Sequence, residues 1–246
     1  MDAVHFAGLT GRVWTGPQLT GSSVRRPFHD GPMALHLIRP LCDVVNSPSS
    51  CGALLSTLQS DIQSCRLCDS MSPWRQFATD AYGTAGTRYL LVGEAPGYKS
   101  WEKRRRFTGP AGMLIRRALW QLAHPRYRDL EDLFYITDAV KCHPTSGPGS
   151  TSNRPPRRPE IHSCVTHLRR EIQLLHPSII VTFGKIAAAT VATIAPSFKI
   201  IAFPHPSPRN QLTIIKHYPS LKAFEEALSQ TFCKLIAQLE QPSCHA

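Results

Sequence analysis

No stretch of about 18 consecutive apolar residues occurs anywhere in the chain, so no membrane-spanning helix is expected. The N-terminus lacks the basic, apolar, small-residue order of a secretory signal, and the chain therefore reads as cytoplasmic, of prokaryotic intracellular type. No internal repeat is visible, which sets aside solenoids and propellers. Acidic residues are scarce, with 17 Asp and Glu against 28 Lys and Arg in 246 residues. The resulting formal charge of +11 argues against a polycationic partner and favours a polyanionic one. Two basic runs stand out, Lys103–Arg104–Arg105–Arg106 and the set Arg154, Arg157 and Arg158. Both lie in segments that read as loops, where phosphate contacts are often made.

What is present is a chain long enough for one α/β domain, with 42% hydrophobic residues. Residues 1–50 are rich in Gly, Pro, Ser and Thr and read as a poorly defined extension. Residues 51–246 read as the working domain. Apolar spacing predicts helices over 52–64, 113–122, 160–175, 184–194 and 221–239. Short buried strands are predicted at 89–92, 133–137, 178–182 and 199–203. Strands alternating with helices make the class α/β, with a largely parallel central sheet. Such sheets place ligands beyond the carboxyl ends of their strands, and Gly93–Glu94, Asp138 and His205 all follow predicted strand ends.

Eight cysteines occur, at 42, 51, 65, 68, 142, 164, 233 and 244. In a reducing compartment they are better read as thiols or metal ligands than as disulfides. Cys65-x-x-Cys68 can chelate one metal centre, and Cys142 and Cys164 can complete it, with Cys42 and Cys51 as substitutes. The residues alone permit zinc or an iron–sulfur cluster.

Three segments carry a resemblance when taken together. They are Gly93–Glu94–Ala95–Pro96–Gly97 with Phe107–Thr108–Gly109–Pro110–Ala111–Gly112, Tyr135–Ile136–Thr137–Asp138–Ala139–Val140–Lys141–Cys142, and His205–Pro206–Ser207. These resemble the motifs of the family 4 uracil-DNA glycosylases, over roughly four-fifths of the chain. The extended His205–Pro206–Ser207–Pro208–Arg209–Asn210 is also similar to the single-strand-selective glycosylases of the same superfamily. The resemblance implies a fold, an α/β three-layer sandwich with a four-stranded parallel central sheet between helices, and a reaction, hydrolysis of the bond between a base and deoxyribose after the nucleotide is flipped from DNA. It implies a 4Fe-4S cluster, rather than zinc, on Cys65, Cys68, Cys142 and Cys164. DNA is the implied partner; no protein partner is evident and a monomer is expected.

The resemblance also implies roles. His205 would face the base carbonyl and stabilise developing charge on O2, or else sit in a loop near phosphates. Glu94 would position or activate water, or else hold its turn by hydrogen bonds. Gly93, Ala95 and Gly97 would let the backbone approach the flipped nucleotide. Phe107 would stack on the base, or else belong to the core. Ser207, Pro208 and Arg209, with Pro206, would enter the minor groove.

Three departures from the family pattern are informative. Asp138 stands where the family has an asparagine that reads the uracil edge. An ionised aspartate only accepts, which favours the cytosine N4 amino group over uracil O4; engaging N3 as well would need a protonated aspartate or base. Otherwise Asp138 contacts only a helix N-terminus or water. Ser100 and Trp101 stand where the family has an acidic pair, which would open room beside C5 of the base and let Trp101 stack on a sugar ring. Arg104, Arg105 and Arg106 follow, in place of a small turn containing glycine and proline, and would contact DNA. The loop 145–158 is longer than in the family and reads as DNA-facing. The leading expectation is a monofunctional glycosylase acting on a C5-modified cytosine, such as glucosylated 5-hydroxymethylcytosine of phage DNA, in antiviral defence. The alternatives are uracil excision in repair and a non-catalytic DNA-binding module. No lysine is placed for a Schiff base, so strand cleavage is not expected.

Overall fold

A computed structural model describes residues 5–6, 48–68, 87–147 and 150–241. The extension assigned to residues 1–50 lies mostly outside them, as do Cys42, Cys244 and the side chain of Cys51. The strands are β1 (His5–Phe6), β2 (Tyr89–Gly93), β3 (Tyr135–Asp138), β4 (Ile179–Phe183) and β5 (Ile200–Phe203). Their order across the sheet is β1-β5-β4-β2-β3, and every pairing is parallel. The four expected strands thus form the sheet, and a two-residue strand from the extension adds an edge. The longer helices are α1 (Pro48–Ser64), α3 (Pro110–Trp120), α5 (Arg158–Leu175), α6 (Lys185–Ile194) and α8 (Leu221–Glu240). Shorter ones are α2 (Tyr98–Glu102), α4 (Leu130–Leu133) and α7 (Gln211–Ile215). None among the described residues is long and apolar enough to cross a membrane.

Strand side chains alternate between two apolar layers. Leu91, Ile136, Val181 and Phe203 pack with Ile115 of α3 and Phe224 and Phe232 of α8. Leu90, Val92, Tyr135 and Ile180 pack with Leu58 of α1, Leu168 and Ile172 of α5 and Val191 of α6. Covering both faces is what an all-parallel sheet requires, and it explains why these strands read as continuous apolar runs rather than as alternation.

Most element boundaries shift by one to four residues, and two of the shifts bear on the reading. The second strand begins at Tyr135, not Leu133, because Asp129 caps a short helix first: its side chain accepts from the Leu130 N–H while Asp132 closes a capping box. Helix α1 begins at Pro48, so the boundary drawn at residue 51 falls inside it. The chain order β2, β3, β4 reverses direction across the sheet at β2, with β3 on one side and β4 on the other. That is the kind of switch point beside which open α/β sheets bind ligands.

Candidate functional site

The carboxyl ends of β2, β3, β4 and β5 deliver Gly93–Glu94, Asp138, Gly184 and His205. In the β2–β3 register Gly93 lies opposite Asp138. A Cβ at Gly93 would collide with Asp138 Oδ1 and stand 3.1 Å from Cζ of Phe107. Glycine is therefore required where the carboxylate and the aromatic ring converge. The turn after β2 is tied to the segment after β3, since Ala139 N–H donates to Gly93 O and Val140 N–H to Glu94 O. His143 Nδ1 lies 2.9 Å from Pro96 O, and its ring stacks with Trp101 at 6.4 Å and meets Tyr98 edge-on. Gly97 approaches Asn153, whose Oδ1 accepts from the Tyr98 N–H, so part of the long loop docks on this turn. Ala95 is half-buried against the Val140 and Cys164 cluster, on which Cys68 and Cys142 also pack.

Glu94 reaches over the end of β4. Its Oε1 accepts from the Ile186 N–H in the first turn of α6, and Gly184, at φ +96°, leaves the space it occupies. Burial pushes its carboxyl above the ordinary value, with the Ile186 N–H opposing. The hydrogen-bonding role weighed for Glu94 is thus present, and it fixes one oxygen.

Asp138 is 3% exposed, and among the described residues the sole donor to its carboxylate is Arg106, Nε to Oδ2 at 2.9 Å. Burial pushes Asp138 up, against the pull of Arg106 and Lys141. Lys141 Nζ holds the Asp138 carbonyl at 2.7 Å while pairing with Glu171 and Thr137, so this lysine is fully engaged behind β3. His205 feels the Asp138 charge, but burial dominates and lowers its pKa. Its carbonyl accepts from Asn210 Nδ2, which draws the turn 208–210 back toward β5. In that turn Pro208 and Arg209 are exposed and Ser207 is half-buried. Behind them Leu212, 74% exposed, and Ile215 present apolar surface that the sequence reading did not single out.

The basic run divides. Lys103 and Arg104 are exposed, and Arg104 adopts φ 51°. Arg105 pairs with Asp129 and Glu131. Arg106 is 1% exposed, so its expected place on DNA is corrected: the loop turns inward, and the guanidinium reaches Asp138 instead of phosphate. The turn is held by Arg116, which sequence reasoning missed because it reads as an ordinary polar position of α3. Arg116 donates to the carbonyls of Arg106 and Phe107 and pairs with Asp129 and Glu131. Phe107 itself has φ 57°, and Gly112 lets α3 pass directly under its backbone. Its half-buried ring packs against Phe183 at 6.1 Å. Ser100 is buried with its Oγ accepting from the Thr108 N–H, so its hydroxyl serves the loop; Trp101 is half-buried against Tyr98. Arg154, expected to face DNA, instead grips both oxygens of Glu160 and the Thr145 carbonyl, while Arg157 and Arg158 are exposed.

Cys65 and Cys68, in the segment that follows α1, Cys142, in the segment that follows β3, and Cys164 of α5 carry free thiols. Burial and the neighbouring cysteines push Cys142 up to about 12, and burial pushes Cys164 up to about 11. The four are thus within one another's electrostatic reach. Lys141 N–H points at Cys164 Sγ and His167 Nε2 at Cys65 Sγ, each at 3.4 Å. Among the described residues no three such side chains converge closely enough to hold a single metal ion.

Residues 81–229 match the family model of the uracil DNA glycosylase superfamily. A type-4 uracil-DNA glycosylase of Pyrobaculum aerophilum is 35% identical over 54% of this chain and 62% of its own length. One from Sulfurisphaera tokodaii is 33% identical over 53% and 54%. A type-5 uracil-DNA glycosylase of Pyrobaculum aerophilum is 29% identical over 68% of this chain and 83% of its own length. The chain spans about half to three-fifths of the length of the type-4 relatives it matches. With a family match across more than half of the sequence and the strand-end site that such a sheet presents, the chain belongs to the uracil DNA glycosylase superfamily.

Proposed function

We propose that the chain is a monofunctional DNA glycosylase that hydrolyses the N-glycosidic bond of a nucleotide flipped out of DNA, and that the released base has a cytosine-type edge, C5-substituted cytosines included. The observation that carries the base assignment is the ion pair of Arg106 with Asp138, which favours the ionised, acceptor-only form of Asp138 beside Gly93 and Phe107, against the burial that pushes its carboxyl up. A carboxylate accepts from an N4 amino group and repels the O4 of uracil. Where the base is a modified cytosine of a phage genome, its removal leaves abasic sites in invading DNA.

In the reaction the bond from C1′ to the base nitrogen breaks with both electrons leaving on the base. A water oxygen bonds to C1′ and gives up a proton, and the base finally takes one. Glu94, with Oε1 fixed by Ile186, offers its second oxygen to that water. His205, kept neutral by burial, donates to O2 of the departing base. Phe107 stacks on the base, and Ser207, Pro208 and Arg209 meet the DNA. Lys141 is committed to Glu171, Thr137 and the Asp138 carbonyl, which supports simple hydrolysis without strand cleavage.

The four thiols fit a 4Fe-4S cluster. The donor set is all sulfur, and Cys142 and Cys164 each feel the charge of Cys65 and Cys68. Held by Cys65, Cys68, Cys142 and Cys164, the cluster would brace α1 and α5 against the end of β3; no step above transfers an electron.

The test is release of base from matched duplexes carrying uracil, cytosine, 5-hydroxymethylcytosine or its glucosylated form, with alkali revealing abasic sites. Cleavage of a cytosine-type strand supports the assignment. Cleavage confined to uracil supports the second reading, uracil excision, which the names of the type-4 and type-5 relatives favour. Tight DNA binding with no abasic product from any strand would mark a binding module instead.

A further inference from the structure

Arg106 has one of the largest fully buried side chains among the described residues, and its charge meets Asp138 at the carboxyl end of β3. A buried ion pair is a poor source of stability, since an apolar pair of equal volume often serves as well or better. The loop is nonetheless built to hold this arginine. Arg116 fixes the carbonyls of both Arg106 and Phe107. Phe107, at φ 57°, sends its ring toward Gly93 while the preceding side chain meets Asp138. The guanidinium has five N–H donors, and its Nε–H is committed to Oδ2. Oδ1 is the oxygen beside Gly93, where the Phe107 ring also arrives.

We propose that Arg106 and Asp138 form one base-reading unit, the carboxylate accepting from an exocyclic amino group and the guanidinium donating to the adjacent ring nitrogen. An acceptor beside a donor is the pattern that guanine presents to cytosine in a base pair. Cytosine meets it with N4–H and the N3 lone pair, which removes the need to protonate either the base or the aspartate. Uracil, with O4 and N3–H, is opposed at both positions. A C5 substituent lies off this edge and leaves the pairing unchanged. The inference rests on the cytosine-type reading above and adds a second specificity-determining residue, one that sequence spacing had assigned to phosphate.

The test is a cycle between a protein group and a substrate atom. Wild type and Arg106→Gln are assayed for kcat/KM on a duplex carrying the cytosine-type base that the wild type releases. Both are then assayed on its 3-deaza counterpart, in which N3 is replaced by C–H. A base contact of this kind is worth about 10- to 100-fold. The wild-type to variant ratio should therefore be about 10- to 100-fold on the normal base and near one on the 3-deaza base. Equal ratios on the two bases would show that Arg106 acts only through the fold and would overturn the inference. A wild type indifferent to N3 overturns it without any variant. Should thermal melting show that Arg106→Gln does not fold, Arg106→Lys keeps the charge, loses the fork, and serves in the same cycle. A wild type that releases only uracil sinks the cytosine-type reading and this unit together. Cytosine-type release with equal ratios sinks this unit alone.

Discussion

Arg116 Nη2 donates to the carbonyl oxygen of Arg106 at 2.8 Å, so one buried cation sets the backbone on which another is carried. The same guanidinium reaches Phe107 O at 3.1 Å and pairs with Asp129 and Glu131. Glu131 registers the arrangement: burial would raise its pKa, yet Arg116 and Arg105 hold it at about 2. Arg116→Met should cost about 3 kcal/mol, the low end for breaking a buried pair because both acids keep some water contact. Chemical denaturation measures that loss. Excision should fall further than the folded fraction does, because Phe107 and Arg106 lose their register to the base. A variant that is destabilised but fully active per folded molecule would show that the clamp serves the fold alone.

Much of the fold was legible in the sequence because a doubly covered parallel sheet leaves continuous apolar strands, such as Leu90–Leu91–Val92, between amphipathic helices. The strand-end residues were legible for the same reason, since a strand that stops at Gly93 or Asp138 fixes where the next group points. What did not show was the inward turn of residues 103–107. Four basic residues in a row look solvated, and their sorting depends on Arg116, Asp129 and Glu131, whose contacts to this loop are non-local. Arg154 was misread likewise: its partner Glu160 lies six residues on, across a loop whose shape its own sequence does not fix.

Gly184 and Gly52 should respond in opposite ways to the same change. At Gly184 the backbone has φ +96° and an added Cβ would strike the Glu94 carboxylate. Gly184→Ala should destabilise by about 1–3 kcal/mol and depress excision by displacing Glu94 from Ile186. Gly52 lies within α1 with nothing near its missing Cβ, so Gly52→Ala should stabilise by up to about 1 kcal/mol and leave excision unchanged. Thermal melts and excision rates on both variants check the pair.

His205 gives a pH prediction with a definite sign. Burial holds its folded pKa below 6.5, with the Asp138 charge partly opposing. Between the folded value and 6.5 the unfolded chain binds the extra proton, so this histidine's contribution is fully present above pH 6.5 and is lost as pH falls below it. Denaturation measured from pH 7.5 downward should show stability declining below 6.5, and His205→Asn should flatten part of that slope. The acid limb of kcat/KM, which requires neutral His205 in the free enzyme, should also lie below 6.5. A steeper slope in the variant would contradict the burial that defines this position.

The cysteine set predicts a bound iron–sulfur group. Anaerobically purified protein should carry iron and sulfide and show visible absorbance. Cys142→Ala and Cys164→Ala should each lose that absorbance and lower the melting temperature, because α5 and the end of β3 lose their tie. Cys233→Ala should change neither, since that thiol is exposed on α8. Stoichiometric zinc without iron would replace the cluster assignment.

The surface arginines can be sorted by salt dependence. Exposed Arg209, Arg157 and Arg158 are available to phosphate, whereas Arg154 is spent on Glu160 and Thr145. Each phosphate contact releases counterions, so losing one reduces the slope of log affinity against log salt by about 1. Arg209→Gln should show that reduction, with binding weakened alike across sequences. Arg154→Gln should leave the slope intact and lower stability, because Glu160 then stays 4% exposed without its bidentate partner. If Arg154→Gln instead reduced the slope by about 1 at unchanged stability, the loop 145–158 would open on DNA and release this arginine to the backbone, restoring the contact that its sequence first suggested.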